Sequence, residues 1–246
     1  MSENNSVFLK AWGEYACFTR PELKVERVSY SVPTPSSARG LLEAILFKPE
    51  FRWQIEEIRV LKEIQFINLR RNEVQGVISS RNAESAMRGT RRLSPLMADD
   101  TDNEGEGRTQ RQTIALKDVS YIIKANPRPF AASGSVYLVK KYTEQFNRRV
   151  QKGQCFQHPY FGCREFAASF SLPDGNERPI ADSRDLGLML YDIFDLNAQP
   201  VLILDDALLQ KHRQLSLFEA KLENGIVRVP DWRSDHVKRA AGQEAK

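Results

Sequence analysis

The sequence predicts an α+β fold, and three observations predict it. Two stripes repeat at helical spacing with one apolar face: Ala38, Leu41, Leu42, Ile45 and Leu46, then Val139, Tyr142, Phe146 and Val150. Around them lie runs rich in Val, Ile, Phe, Trp and Tyr without that period, at 7–12, 51–66, 114–125 and 166–170, which read as strands. Past Leu172 the texture changes to short apolar runs separated by turn residues, as in a small antiparallel sheet. The leading part therefore runs strand, helix, strand, strand, helix, strand, the βαββαβ order of a ferredoxin-like domain.

Taken in order, 7–12 is closed by Gly13 and suits an opening strand. Thr34 before Pro35 supplies an N-cap hydroxyl and a proline at the first helical position, so a helix starts there; Lys48-Pro49 ends it. Residues 51–66 read as extended, although 54–61 also fits a helix, and the region 51–125 has room for extra strands. Between Leu69 and Arg92 six arginines face only Glu73 and Glu84 in a stretch poor in core-forming residues, which predicts an exposed basic loop or hairpin. Residues 98–107 hold five acidic residues and two glycines, an unstructured insertion by composition. The second helix should stop before Gly153, with Arg149 and Lys152 in its last turn, where cations suit the helix dipole. Leu172-Pro173-Asp174-Gly175-Asn176 is turn chemistry, and apolar runs follow at 186–194, 201–204, 215–222 and 226–229. Asn224-Gly225 between the last two signals a hairpin. The expected division is a ferredoxin-like domain over 1–172 with a loop insertion near 67–112, a small β-sheet subdomain over 173–230, and a frayed tail over 231–246.

At 246 residues and 41% hydrophobic content the chain can bury a sizeable core, and its formal charge of +4 is too small to decide for or against a nucleic-acid partner. Cys17, Cys155 and Cys163 are odd in number and lack the pairing of a disulfide framework or a structural zinc site. That favours a reducing compartment. The polar start followed by a short apolar run matches neither a signal peptide nor a membrane span, so a cytoplasmic location without a membrane partner is expected.

The loop from Gly153 to Phe166 crowds aromatics, His158 and Arg164 between turn residues, more than a connector needs. Gly153-Gln154-Cys155-Phe156, Pro159-Tyr160 and Gly162-Cys163-Arg164-Glu165-Phe166 resemble the signature of the subtype I-C (Dvulg) branch of the fifth CRISPR-associated protein family. The resemblance extends to Trp12-Gly13-Glu14-Tyr15-Ala16-Cys17-Phe18-Thr19-Arg20-Pro21, Glu26-Arg27-Val28-Ser29-Tyr30, Thr34-Pro35-Ser36, Ala38-Arg39-Gly40 and Arg70-Arg71-Asn72-Glu73, and covers most of 7–222. It implies a repeat-associated mysterious protein (RAMP) with a ferredoxin-like core of the kind RNA recognition motifs share, cleavage of precursor CRISPR RNA, and assembly into a type I-C surveillance complex. The implied partners are the CRISPR repeat RNA, the mature crRNA and the other subunits of that complex. Double-stranded DNA is a less specific third.

A ribonuclease that works without metal needs a group to deprotonate the ribose 2′-hydroxyl, one to protonate the leaving 5′-oxygen, and a cation for the charged phosphorane. In the resembled family those groups are a Tyr, a Lys and a His. By alignment on Phe146, Arg148-Arg149 and Gly153, the Lys-His pair falls on Lys141 and Tyr142, and the tyrosine falls at or near Leu46. Two of the three positions therefore depart from the pattern. Lys141 lies on the helix face shared by Gln145, Arg148 and Lys152 and can hold a phosphate or the transition state. Tyr142 shares a face with Phe146 and Val150, which argues for packing against a chemical hydroxyl. His158 is the imidazole able to replace the missing one, or it caps the turn before Pro159. Tyrosine and histidine titrate near about 10 and 6.5 in model peptides, so a Lys141-Tyr142 centre needs pKa tuning to supply a base at neutral pH. Cys155 and His158 form a Cys-x-x-His pair, but nothing else supports a thiol nucleophile. Asp99-Asp100 and Asp205-Asp206 belong to unrelated elements and make no convergent ligand set, so no metal or other cofactor is expected. Arg27, Arg39, Arg70, Arg71, Arg81, Arg88, Arg148, Arg149, Lys152 and Arg164 are the candidates to hold RNA phosphates. The competing reading is a non-catalytic subunit that binds the crRNA handle, its activity lost with the departures at Leu46 and Tyr142.

Overall fold

Thr34 and Pro35 start the first helix as their chemistry requires: the Thr34 hydroxyl accepts the Ser37 N–H at 3.1 Å, and α1 runs Pro35–Ile45. This is a computed structural model, and it describes residues 5–23, 25–74, 76–93, 97, 108–130, 135–198 and 213–239. The acidic segment 98–107, the apolar run 201–204 and the end of the tail, 240–246, lie outside the described residues. The other elements are β1 (Val7–Ala16), β2 (Arg27–Val28), β3 (Phe51–Val60), β4 (Gln65–Val74), α2 (Ser80–Met87), β5 (Arg108–Pro129), α3 (Ser135–Gln151), β6 (Ser169–Ser171), β7 (Arg184–Phe194), β8 (Arg213–Glu223), β9 (Ile226–Arg228) and β10 (Val237–Arg239). The fold is thus α+β. Among the described residues no helix is long and apolar enough to cross a membrane.

The described strands form one sheet with the lateral order β10-β8-β9-β3-β5-β1-β6; β2 and β4 pair with β5, and β7 pairs with β8. Every pairing is antiparallel except β2 with β5. Along β1 the residues alternate: Val7, Leu9 and Ala11 are buried, whereas Phe8 and Lys10 are half-buried and Trp12 is exposed. α3 packs on β5 and β1, and α1 packs on β3 and β7. The contact between α3 and β3 is aromatic. Tyr142 stacks on Phe51 with ring centroids 4.5 Å apart, and Phe146 meets Trp53 edge-on at 5.0 Å. Each such pair contributes about 0.5–1.5 kcal/mol beyond its burial.

Two details differ from the sequence reading and a third resolves the alternative it left open at 54–61 in favour of the extended reading, each for a local reason. α1 ends at Ile45, before Lys48-Pro49, because Leu46 is already extended; its side chain is buried and its carbonyl accepts the Trp53 indole N–H at 3.1 Å. Residues 54–60 are strand, and their helix-like spacing comes from a register shift between Ile55 and Glu57, which leaves buried Ile55 and Ile58 three residues apart. The basic stretch after Leu69 is the second half of β4, paired with β5 from Val74↔Arg108 to Gln65↔Lys117, followed by α2, which buries no residue. The hairpin signal holds: Asn224 and Gly225 have φ of 49° and 75°, the left-handed pair that a two-residue type I′ turn requires. β9 then pairs with β3, so β7–β10 continue the same sheet.

Candidate functional site

The loop after α3 is clamped by backbone bonds on two sides. Phe156 and Gln157 donate their N–H groups to the Ala44 carbonyl at the end of α1, at 2.7 and 3.2 Å, and the Cys17 N–H donates to the Phe161 carbonyl at 3.0 Å. Gly162 is required for the second clamp: at φ 80° a Cβ there would lie 1.9 Å from the Cys17 carbonyl oxygen. His158 hangs from this loop, exposed, beside the end of α1. Leu46 and Tyr142 are core residues at the same corner, each 2% exposed, linked through Trp53 and Phe51. Burial and the neighbouring Glu50 carboxylate raise the Tyr142 phenol above its ordinary value, so at neutral pH it keeps its proton and is a poor base. Lys141 is exposed, its Nζ 5.2 Å from the Tyr142 ring centroid. Of the three candidate catalytic residues, two therefore present their functional groups to solvent and the third presents mainly a packed ring.

A basic groove of about 380 Å³ lies where β2, β4 and β5 meet, lined by Glu26, Arg27, Val28, Arg70, Gln110, Arg111, Gln112 and Ile114. Arg27, Arg71 and Arg111 all reach Glu73, at 3.6, 3.2 and 3.2 Å. Arg71 and Arg27 also contact Glu165 of the clamped loop, Arg27 at 3.7 Å. Beneath them Arg27 donates to the Cys163 sulfur at 3.2 Å. Hydrogen bonding from Cys163 holds the Cys17 thiol down to about 6, whereas the same pairing together with burial pushes Cys163 up. Half-exposed ion pairs of this kind contribute about 0–1 kcal/mol each, so a phosphate can exchange for a carboxylate here at little cost.

The remaining candidates are dispersed. Arg148 and Lys152 are exposed at the C-terminal end of α3; Arg149 is half-buried, its Nε buried with no hydrogen-bond partner among the described residues. Arg81 is exposed on α2 and Arg88 at its C-cap, paired with Glu84 at 3.7 Å, and Arg164 is exposed next to Glu165. Arg39 is different. Its guanidinium bonds the fully buried Asp192 and contacts Glu43 at 3.2 Å, and Asp192 also accepts the Ile193 and Phe194 N–H groups at 2.8 and 3.0 Å. This ion pair forms part of the wall of a cleft of about 520 Å³, which Gly40, Phe47, Phe156, Tyr160 and Phe194 also line. Phe156, 80% exposed, offers a face on which a base can stack. Glu50 and Arg111 escaped the sequence reading, and Glu73 and Glu165 entered it only within the resembling motifs, without a role at the site. Arg111 carried no periodic signal, because it sits in a wholly polar run that pairs with β4.

The family model described as CRISPR-associated protein (Cas_Cas5), the Cas5d model, matches residues 6–230. A protein named CRISPR pre-crRNA endoribonuclease Cas5d from Mannheimia succiniciproducens is 42% identical over 245 residues, 96% of this chain and 99% of that protein. A protein of the same name from Thermus thermophilus is 46% identical over 187 residues, 75% of this chain and 72% of that one. Among solved structures, a CRISPR-associated protein superposes with a TM-score of 0.60 at 20% identity, covering 95% of this chain and 96% of the other. A functionally uncharacterised protein from Streptococcus mutans gives 0.59 at 18%, with the same coverage. At those identities the structural likenesses establish the fold, and the family rests on the sequence matches. The chain belongs to the Cas5d family of CRISPR-associated proteins.

Proposed function

We propose that this chain is an endoribonuclease that binds the hairpin of a CRISPR repeat transcript, cuts precursor CRISPR RNA on its 3′ side without metal, and keeps the 5′ handle as a cytoplasmic subunit of a type I surveillance complex. The observation that carries the reading is identity of 42% across 96% of the chain to a protein named for that activity. In the proposed chemistry the ribose 2′-oxygen attacks the adjacent phosphorus and the 5′-oxygen leaves, giving a 2′,3′-cyclic phosphate and a 5′-hydroxyl. Exposed Lys141 supplies the cation for the phosphorane and His158 moves the proton, while the Tyr142 ring fixes α3 against β3. Arg27, Arg70, Arg71 and Arg111 hold backbone phosphates.

The test is to incubate the purified protein with its repeat hairpin in EDTA and resolve the products. A single cut at the 3′ base of the hairpin is expected. An uncut hairpin at saturating protein would favour the non-catalytic handle-binding subunit, the reading that the core position of Leu46 and the raised Tyr142 phenol support.

A further inference from the structure

We propose that the Glu165 side chain occupies a phosphodiester subsite made by Arg27 and Arg71, and that RNA backbone must displace it before the groove binds at full strength. This rests on the RNA-binding reading above and adds a carboxylate that competes with the ligand. Two guanidinium groups from separate strands, β2 and β4, converge on one carboxylate carried by the clamped loop. Both guanidinium groups reach the same carboxylate oxygen, Oε1, and a non-bridging phosphodiester oxygen presents a like anionic acceptor, so whatever holds the first can hold the second.

The two glutamates in the cluster differ in a way that assigns them different roles. Glu73 has a side chain 24% exposed and takes contacts from Arg27, Arg71 and Arg111, so it is the fixed counter-ion that keeps the arginines assembled. The Glu165 side chain is 50% exposed and belongs to the removable layer. Its backbone is fixed between buried Cys163, which accepts from Arg27, and buried Phe166, whose ring lies 5.9 Å from that of Tyr15. Displacement therefore needs a rotamer change and no movement of the loop. Arg71 keeps unspent capacity, since its Nε is buried with no hydrogen-bond partner among the described residues. The adjoining groove continues the same chemistry, with Arg70, Arg111, Gln110 and Gln112 on its walls. Three arginines of the cluster, Arg27, Arg71 and Arg111, share two carboxylates, Glu73 and Glu165. Once Glu165 swings out, the excess of positive charge in the cluster rises from one to two, and an RNA phosphate would restore the balance that Glu165 supplied.

The experiment measures binding of wild type, Glu165→Gln and Glu165→Asp to a single-stranded oligouridylate of about 15 nucleotides and to the repeat hairpin, across a salt series. Glu165→Gln should bind the oligouridylate about 3- to 10-fold more tightly at low salt, with the log-log salt slope steeper by about 0.7 to 1.4 as one or two more phosphates are neutralised. Glu165→Asp, which keeps the charge, should follow wild type. Unchanged affinity and slope for Glu165→Gln would overturn the proposal. Weaker binding at an unchanged melting temperature would overturn it too, by making Glu165 an organiser of the arginines. The outcome is separable from the function proposed above: a wild type that cuts the hairpin while Glu165→Gln changes nothing defeats only the latch. A wild type that leaves the hairpin intact while Glu165→Gln grips oligouridylate harder defeats only the nuclease.

Discussion

Tyr142→Phe removes one hydroxyl and leaves the ring that stacks on Phe51. What is lost is the phenol's interaction with the neighbouring Glu50 carboxylate, at most about 1 kcal/mol, or no more than roughly 2–4 °C of melting temperature in a chain of this size. Tyr142→Ala removes the whole buried ring and should cost about 3–5 kcal/mol. For catalysis the sign follows from the raised phenol pKa: a general base acts in its deprotonated form, and a group held above its ordinary value of 10.0 is almost wholly protonated at neutral pH. Tyr142→Phe should therefore leave single-turnover cleavage of the repeat hairpin within about threefold of wild type between about pH 6 and 8. A loss on the order of 10²-fold at an unchanged melting temperature would refute this reasoning and make the hydroxyl part of the chemistry. So would a wild-type rate that climbs about tenfold per pH unit towards pH 10 and flattens in Tyr142→Phe.

Lys141→Ala should lower the cleavage rate on the order of 10²-fold while the equilibrium dissociation constant for the hairpin barely moves; a modest and equal loss in both would reduce Lys141 to a backbone contact. Arg148 lies about 10 Å further along α3, at about 1.5 Å per residue, and should touch a different phosphate. Replacing Arg148 and Arg149 together should flatten a salt slope of roughly −3.5, the value for about five phosphates on single-stranded RNA, without a comparable loss of cutting rate once RNA is saturating. Arg39→Met leaves the fully buried Asp192 without its cation and should cost about 3–5 kcal/mol, read from the urea midpoint.

The parts legible in the sequence are those whose cause is local. Thr34-Pro35 caps and starts α1 by its own chemistry, Asn224-Gly225 adopts the turn its backbone freedom permits, and the apolar faces of α1 and α3 follow from spacing. The first half of β5 was not legible. Residues 108–113 are all polar, so although Arg111 and buried Thr113 turn inward and Gln110 and Gln112 outward, no apolar residue marks that alternation in the sequence. A bulge disguised β3 as a possible helix, and the pairing of β9 with β3 joins segments too far apart for any local pattern to record. The site divides in the same way. Arg27, Arg70 and Arg71 were identifiable as cations, but Glu165 meets Arg71 across 94 positions, and only the fold shows that Arg39 is held by Asp192. The resemblance marked Lys141 and Tyr142; packing of α3 on β3 determines that one of them faces solvent and the other Phe51.

The internal nucleophile is the centre of the proposed chemistry, and one substitution in the RNA tests it. The repeat hairpin is prepared with a single 2′-deoxynucleotide at the cleavage position and compared with the all-ribose hairpin, in EDTA, at saturating protein. The deoxy hairpin should bind with the same affinity and stay intact, while the ribose hairpin yields a 2′,3′-cyclic phosphate and a 5′-hydroxyl. Equal cutting of the two would contradict the account, because the attacking oxygen would then come from outside the RNA.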